Sequence, residues 1–340
     1  MATTATSIGK VKFEKVYPIY GAIDVKGSTE LRNDIYRNDN IAKVTLLDKF
    51  LERLSSQKRN KKINQLAKKS TTIRHWLEGP AYERYLLDTY VFLNEELHVH
   101  LEELKSDNNE LTDEIDNFLA IVKKLQGKHS DRFELSLQQL NRLIKEEVQF
   151  FNATVQEIFP SYFELFRSDG IEYDMYVGQS ITPTQKYNTS FLHEIRKQQI
   201  ISMARIARRA AREAETLPIH MQVTLLMFVH GSPIDISFRE DERRFDVEGG
   251  YNIRYQMVKK RIDKARIKTS GERLVSPNTI AIVFQGSVLE EEITKLLSQV
   301  AAEGYVKTDF SFSTLEEIKG VSDLRAVRAE VLLDQIETLT

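Results

Sequence analysis

The chain has 340 residues, enough for one large domain or two ordinary ones, and its 41% hydrophobic content suffices for a sizeable core. Lys and Arg number 48 against 50 Asp and Glu, a balance that argues against a DNA coat or a polybasic membrane binder. With no cysteine, disulfide frameworks, thiolate metal sites and thiol nucleophiles are excluded.

The N-terminal MATTATSIGK lacks a charged start followed by an apolar run, so residues 1–10 read as a disordered lead and not a secretory signal. No stretch approaches the roughly 18 consecutive apolar residues of a membrane span. A cytoplasmic protein with no membrane or DNA partner is expected.

Residues 11–29 predict a strand through Val16, Tyr17, Ile19, Tyr20, Ile23 and Val25, ending at Asp24-Val25-Lys26-Gly27-Ser28-Thr29. Ser28 or Thr29 suits the cap of a following helix. Residues 30–158 are helical in pattern. Leu86, Leu93, Leu97, Leu101 and Leu104 recur at three- and four-residue steps, as do Leu111, Ile115, Phe118, Val122 and Leu125. A last helix from Asp131 to Ile158 would be about 40 Å long at 1.5 Å per residue. The break at 127–130 suggests an antiparallel hairpin between the last two helices. The segment 40–158 therefore reads as a helical insertion or arm, or as ordinary packing around the core.

From 159 onward strand and helix alternate. Tyr162–Arg167 and Ile171–Val177 flank Asp169-Gly170, a strong hairpin signal. A helix is expected over 187–216, strands over 220–230, 234–238 and 243–247, and a helix over 251–268. A buried strand over 279–284, a helix over 288–303 and further strands around Lys319-Gly320 complete an α+β sheet with helices largely on one face. Arg205, Arg208, Arg209 and Arg212 read as a solvated helix face. Trp76 reads as a packing anchor, and His220 and His230 as structural.

Two aspartates stand out. Asp24 at a strand end suits Mg²⁺, which prefers hard oxygen ligands. The N–H groups of the Gly27, Ser28 and Thr29 turn suit phosphate oxygens. Asp169 sits in a tight turn whose strand can lie beside that of Asp24. Two carboxylates about 4 Å apart repel by roughly 4 kcal/mol at an effective dielectric near 20, a cost that a divalent cation reverses.

The order of motifs resembles the catalytic domain of class III nucleotidyl (adenylate/guanylate) cyclases. DVKGST (Asp24 to Thr29), FRSDG (Phe166 to Gly170), RRFDVEGGYNIRYQ (Arg243 to Gln256) and IKGVSDLRAVRAEV (Ile318 to Val331) are similar to that family's strand-end, metal-hairpin, ribose and C-terminal motifs. The resemblance implies a cyclase-like mixed sheet with a ferredoxin-like core over 11–340, interrupted by the helical insertion. It implies two Mg²⁺ or Mn²⁺ ions per site on Asp24, Asp169 and the Val25 carbonyl. A nucleoside triphosphate would be the substrate, and a homodimer the working form. Asn252 matches the ribose-positioning position, Lys319 a cationic position near the triphosphate, and Asp246 a base-selecting one.

The family's transition-state Arg position is Gln256 here, with Lys259 on the same helix face as Asn252 the best placed substitute. The family's adenine-selecting Lys position falls near Leu165, which does not pair with a base edge, and Asp246 matches the second base-selecting position. A catalytically silent cyclase-like signalling module is therefore the alternative. The chain also resembles the C-terminal region of uncharacterised bacterial proteins with a GAF-type sensor.

Overall fold

A computed structural model describes residues 11–57, 60–125, 129–240, 243–248, 253–318, 321 and 323–334. The chain divides into two units, one of residues 1–26 with 137–340 and one of residues 27–136.

The first unit is built on a nine-stranded mixed sheet. Its strands are β1 (Lys12–Val25), β2 (Tyr162–Arg167), β3 (Ile171–Val177), β4 (Val223–Val229), β5 (Ile234–Arg239), β6 (Arg244–Glu248), β7 (Thr279–Gln285), β8 (Val306–Thr314) and β9 (Leu324–Val331). The main path runs β2-β3-β1-β4-β7-β9-β8, with β5 pairing β1 and β6 off it. β1 is antiparallel to both β3 and β4, β2 is antiparallel to β3, and only β4 and β7 pair in parallel on the main path. Strands β1 to β4 thus take the split β-α-β order, in which β3 inserts between β1 and β2.

β1 is long because it serves two ladders. Its first residues pair with β5, and the register shifts between Phe13 and Val16, where Lys15 adopts φ 53°. Such a bulge bends the strand and lets it leave one ladder for another. β4, VTLLMFV, is buried along its whole length, as expected of a strand covered on both faces.

The helix α7 (Thr189–Ala214) lies over one face of the sheet. A Cβ on Gly21 would come within 2.7 Å of the Met203 side chain and 2.4 Å of the Tyr173 hydroxyl, so glycine lets this helix and Tyr173 approach β1. Gln199 of α7 donates to the Tyr20 carbonyl at 3.0 Å and the Tyr173 hydroxyl at 2.9 Å. The opposite face carries the apolar cluster of Tyr20, Leu226, Phe228, Ala281 and Val283, which also includes Tyr255 and Val258.

The helical unit contains α1 (Ser28–Gln57), α2 (Lys61–Glu78), α3 (Leu86–Val91), α4 (Leu97–Asp107) and α5 (Thr112–Leu125). A π-turn, Phe92–Glu96, joins α3 to α4. These helices bury their own core, with Leu47, Leu54, Leu77, Phe92, Leu101 and Ile115 inaccessible to solvent. Trp76 stacks on Tyr85 at 4.6 Å. α6 (Ser130–Ile158) contributes residues to both units, and the break expected at 127–130 falls partly outside the described residues.

Two expectations change. The helix expected over 251–268 is a short α8 (Ile253–Lys259) followed by a 3₁₀ turn, Ile262–Lys264. It ends where Ile262, Ala265 and Leu274 insert into the sheet cluster, an irregular path that helical periodicity does not describe. The arginines of α7 are not a purely solvated face. Arg208 is buried and donates to the carbonyls of Leu332 at 2.7 Å and Gly304 at 2.5 Å, while Arg209 pairs with Glu146 and Glu147. A remaining helix, α9 (Ser287–Ala302), packs against α7, β7 and β8.

Candidate metal and nucleotide site

Asp24 lies near the end of β1, and its register partner on β4 is Thr224. Its neighbour on the other side is the turn between β2 and β3. The register Ile23 with Ile171 puts Gly170 beside Asp24. A Cβ on Gly170 would stand 2.1 Å from the Ile23 carbonyl oxygen and 2.7 Å from the Asp24 Cα. Only glycine lets the turn close this tightly on β1, which brings Asp169 to the same end of the sheet as Asp24.

The carboxyl of Asp24 is pushed above its ordinary value. The first cause is crowding by surrounding protein, opposed by a hydrogen bond from the Val25 N–H, and the charges of Asp169, Asp263 and Glu172 add to the rise. A carboxylate that meets three other negative charges is one that a divalent cation would stabilise. Among the described residues, no group of three or more His, Cys, Asp or Glu is arranged to hold a metal, so the candidate rests on the aspartate pair and nearby backbone carbonyls. Val25, whose carbonyl was expected to assist, is buried and pairs with Val223.

Gly27, Ser28 and Thr29 belong to the helical unit. Gly27 takes φ 64°, a left-handed turn that favours glycine, and its carbonyl accepts the Leu31 N–H at 2.9 Å as α1 begins. Ser28 is buried and Thr29 exposed. Asn252 and Lys319 lie outside the described residues.

The remaining expected residues meet in a pocket of about 300 Å³ between β2, β3, β6 and α8. Asp246 lines it. Its carboxyl is lowered overall: burial pushes it up, but the Val247 N–H, the Gln256 amide and Arg239 outweigh that. Gln256 donates directly to Asp246. Lys259 pairs with the buried Asp174 and stands over the rings of Tyr20 at 4.9 Å and Phe166 at 5.5 Å. The Tyr255 hydroxyl also donates to Asp174 at 3.4 Å.

Leu165 does not line this pocket. It pairs in register with Tyr173, whereas Glu164 and Phe166 pair with Asp174 and Glu172, and alternation sends these to the other face. Glu164 accepts from the Tyr162 hydroxyl at 2.6 Å and the Phe245 N–H at 3.1 Å, which ties β6 to β2. Sequence reading missed Glu164, Glu172, Asp174 and Asp263. Glu172 and Asp174 alternate along β3, and Glu164 on β2 is the register partner of Asp174.

No family model matches the chain, and no curated protein matches it. Comparison with solved structures finds a likeness to the crystal structure of the guanylyl cyclase Cya2, at 10% identity and a TM-score of 0.27, covering 56% of this chain and 80% of that one. Among the described residues, no helix is long and apolar enough to cross a membrane.

Proposed function

We propose that the sheet unit is a divergent class III nucleotidyl cyclase-like domain that binds divalent cations at Asp24 and Asp169. The observation that carries this reading is the closure of Gly170 on the backbone of Ile23 and Asp24, which sets the two aspartates at one sheet end. The split β-α-β order of β1 to β4 supports a ferredoxin-like core of the kind the sequence motifs imply.

In this reading Asp24, Asp169 and the Val25 carbonyl hold Mg²⁺ or Mn²⁺. The ions, when bound, lower the pKa of a ribose 3′-hydroxyl and offset phosphate charge. The pocket beside Asp246 receives part of the nucleotide, with Asn252 and Lys319 as further nucleotide contacts. A homodimer completes the site. Cyclisation joins the 3′-oxygen to the α-phosphorus, breaks the bond to the β-phosphate and releases pyrophosphate.

A second reading is a catalytically silent module of the same kind. Two observations favour it: Lys259 is committed to Asp174, and Gln256 to Asp246, so neither stands ready to meet developing charge. Incubating the full chain with each nucleoside triphosphate and Mg²⁺ or Mn²⁺ decides between them. Cyclic product and pyrophosphate, lost in Asp24→Ala and in Asp169→Ala, supports the enzyme. Cation-dependent nucleotide binding without product supports the silent module. Absence of both, by calorimetry and product analysis, rejects the site.

A further inference from the structure

The helical unit holds a pocket of about 380 Å³, lined by residues of α1, α4, α5 and the π-turn. Leu97 and Phe118 are buried at its base. Leu119 and Val122 of α5 and Leu93 of the π-turn are partly buried against the helical core.

The ionised side chains of this lining, Lys43 and Lys123, have one sign. Lys43, His98 and Lys123 contribute basic groups, and none of the nine lining residues is acidic. The bias is local, because acids slightly outnumber Lys and Arg in the chain. Lys43 is half-buried, and burial pushes its amine below its ordinary value against the opposing charge of Asp39. Asp39 itself accepts the Ser130 N–H and hydroxyl at 3.2 Å each. An anion beside Lys43 would offset the desolvation of the amine. The π-turn is a second, independent observation. An extra residue in a helical turn carries a cost, and such turns occur frequently at functional sites. Here it carries Leu93 and Asn94 into the pocket wall.

We propose that this pocket binds a small amphipathic acid, its apolar chain along Leu97, Phe118 and Val122 and its carboxylate beside Lys43 and Lys123. The apolar base and the acid-free basic rim are complementary to the two ends of such a molecule. This site is separate from the aspartate pair and does not depend on the function proposed for it.

Calorimetric titration of the full chain with decanoate, and with decanol as the neutral analogue, tests the proposal. One decanoate should bind per chain, about tenfold tighter than decanol, because only the acid gains a charged partner. Lys43→Met should remove that preference, Lys123→Met should reduce it, and Val122→Trp should block both ligands by filling the pocket. Lys124→Met, at an exposed position outside the lining, should leave binding unchanged. Circular dichroism and melting temperature establish that each variant folds. If Lys43→Met does not fold, Lys123→Met and Val122→Trp carry the test. Equal binding of the acid and the alcohol, or unaltered decanoate affinity in both Lys123→Met and Val122→Trp, overturns the proposal.

Discussion

At the scale of single residues, Asp24 and Gly170 decide whether the sheet end is a cation site. The raised carboxyl of Asp24 has a thermodynamic consequence. Its protonated form is the one that folding favours. Its contribution is fully present below the unfolded carboxylate pKa near 3.9 and is lost as pH rises through the raised folded value. Asp24→Asn, which stays neutral, should therefore melt higher than the parent at pH 7, with the gain disappearing at pH 3. Adding Mn²⁺ should raise the melting temperature of the parent and leave Asp24→Asn unmoved. A parent chain unaffected by Mn²⁺ argues against the cation site.

Gly170→Ala tests the geometry beneath that site. Its methyl would meet the Ile23 carbonyl, a backbone atom that cannot swing aside. The expected loss is about 2–3 kcal/mol in urea unfolding, with weaker Mn²⁺ binding as the turn lifts from β1. Both aspartates were legible in the sequence, because strand formers lead into Asp24 and Asp-Gly marks the hairpin. What could not be read was the company they keep. Asp263 lies far along the chain, and Glu172 becomes a neighbour only once the register of β1 and β3 is fixed.

Among the elements, α8 shows where sequence periodicity stops being informative. KKRIDKARIK (Lys259 to Lys268) lies in the segment expected as a helix over 251–268. In the fold Lys259 anchors α8 to the sheet through the buried Asp174, with the Tyr255 hydroxyl as a second donor. Removing one partner of a buried pair leaves an uncompensated charge, so Lys259→Met should cost about 3–5 kcal/mol. The double variant Lys259→Met, Asp174→Leu should recover much of that loss. A double-mutant cycle by chemical denaturation measures the coupling. If instead Lys259→Met folds with parental stability, the lysine is free for a ligand, and the silent reading loses its main support. The strands were more legible than α8. β4 and β7 carry continuous apolar runs because both faces are covered, while α8 and the turn after it owe their path to side chains filling one end of the sheet cluster.

For the whole molecule, the governing fact is the existence of separate apolar cores. One is the cluster on the sheet face that includes Ala281, Val283 and Tyr255, and another lies among α1, α2, α4 and α5. The sequence shows the change from helical periodicity to alternating strand and helix, but not which core each part of the long α6 joins, since that depends on contacts remote along the chain. Separate cores need not melt together, and a two-state description then fails. Leu101→Ala empties a fully buried position among the helices, and Ile282→Ala does the same on β7. Each should cost about 2–5 kcal/mol in the unit that contains it. Native-state hydrogen exchange distinguishes the outcomes. Two independent units predict that Leu101→Ala lowers protection in α2 and α4 while leaving β4 and β7 at parental levels, and that Ile282→Ala does the reverse. Uniform loss of protection across both units in either variant would mean that the chain unfolds as one cooperative body. A cation or nucleotide bound to the sheet unit would then also stabilise the helices, by the full linkage of binding to global unfolding.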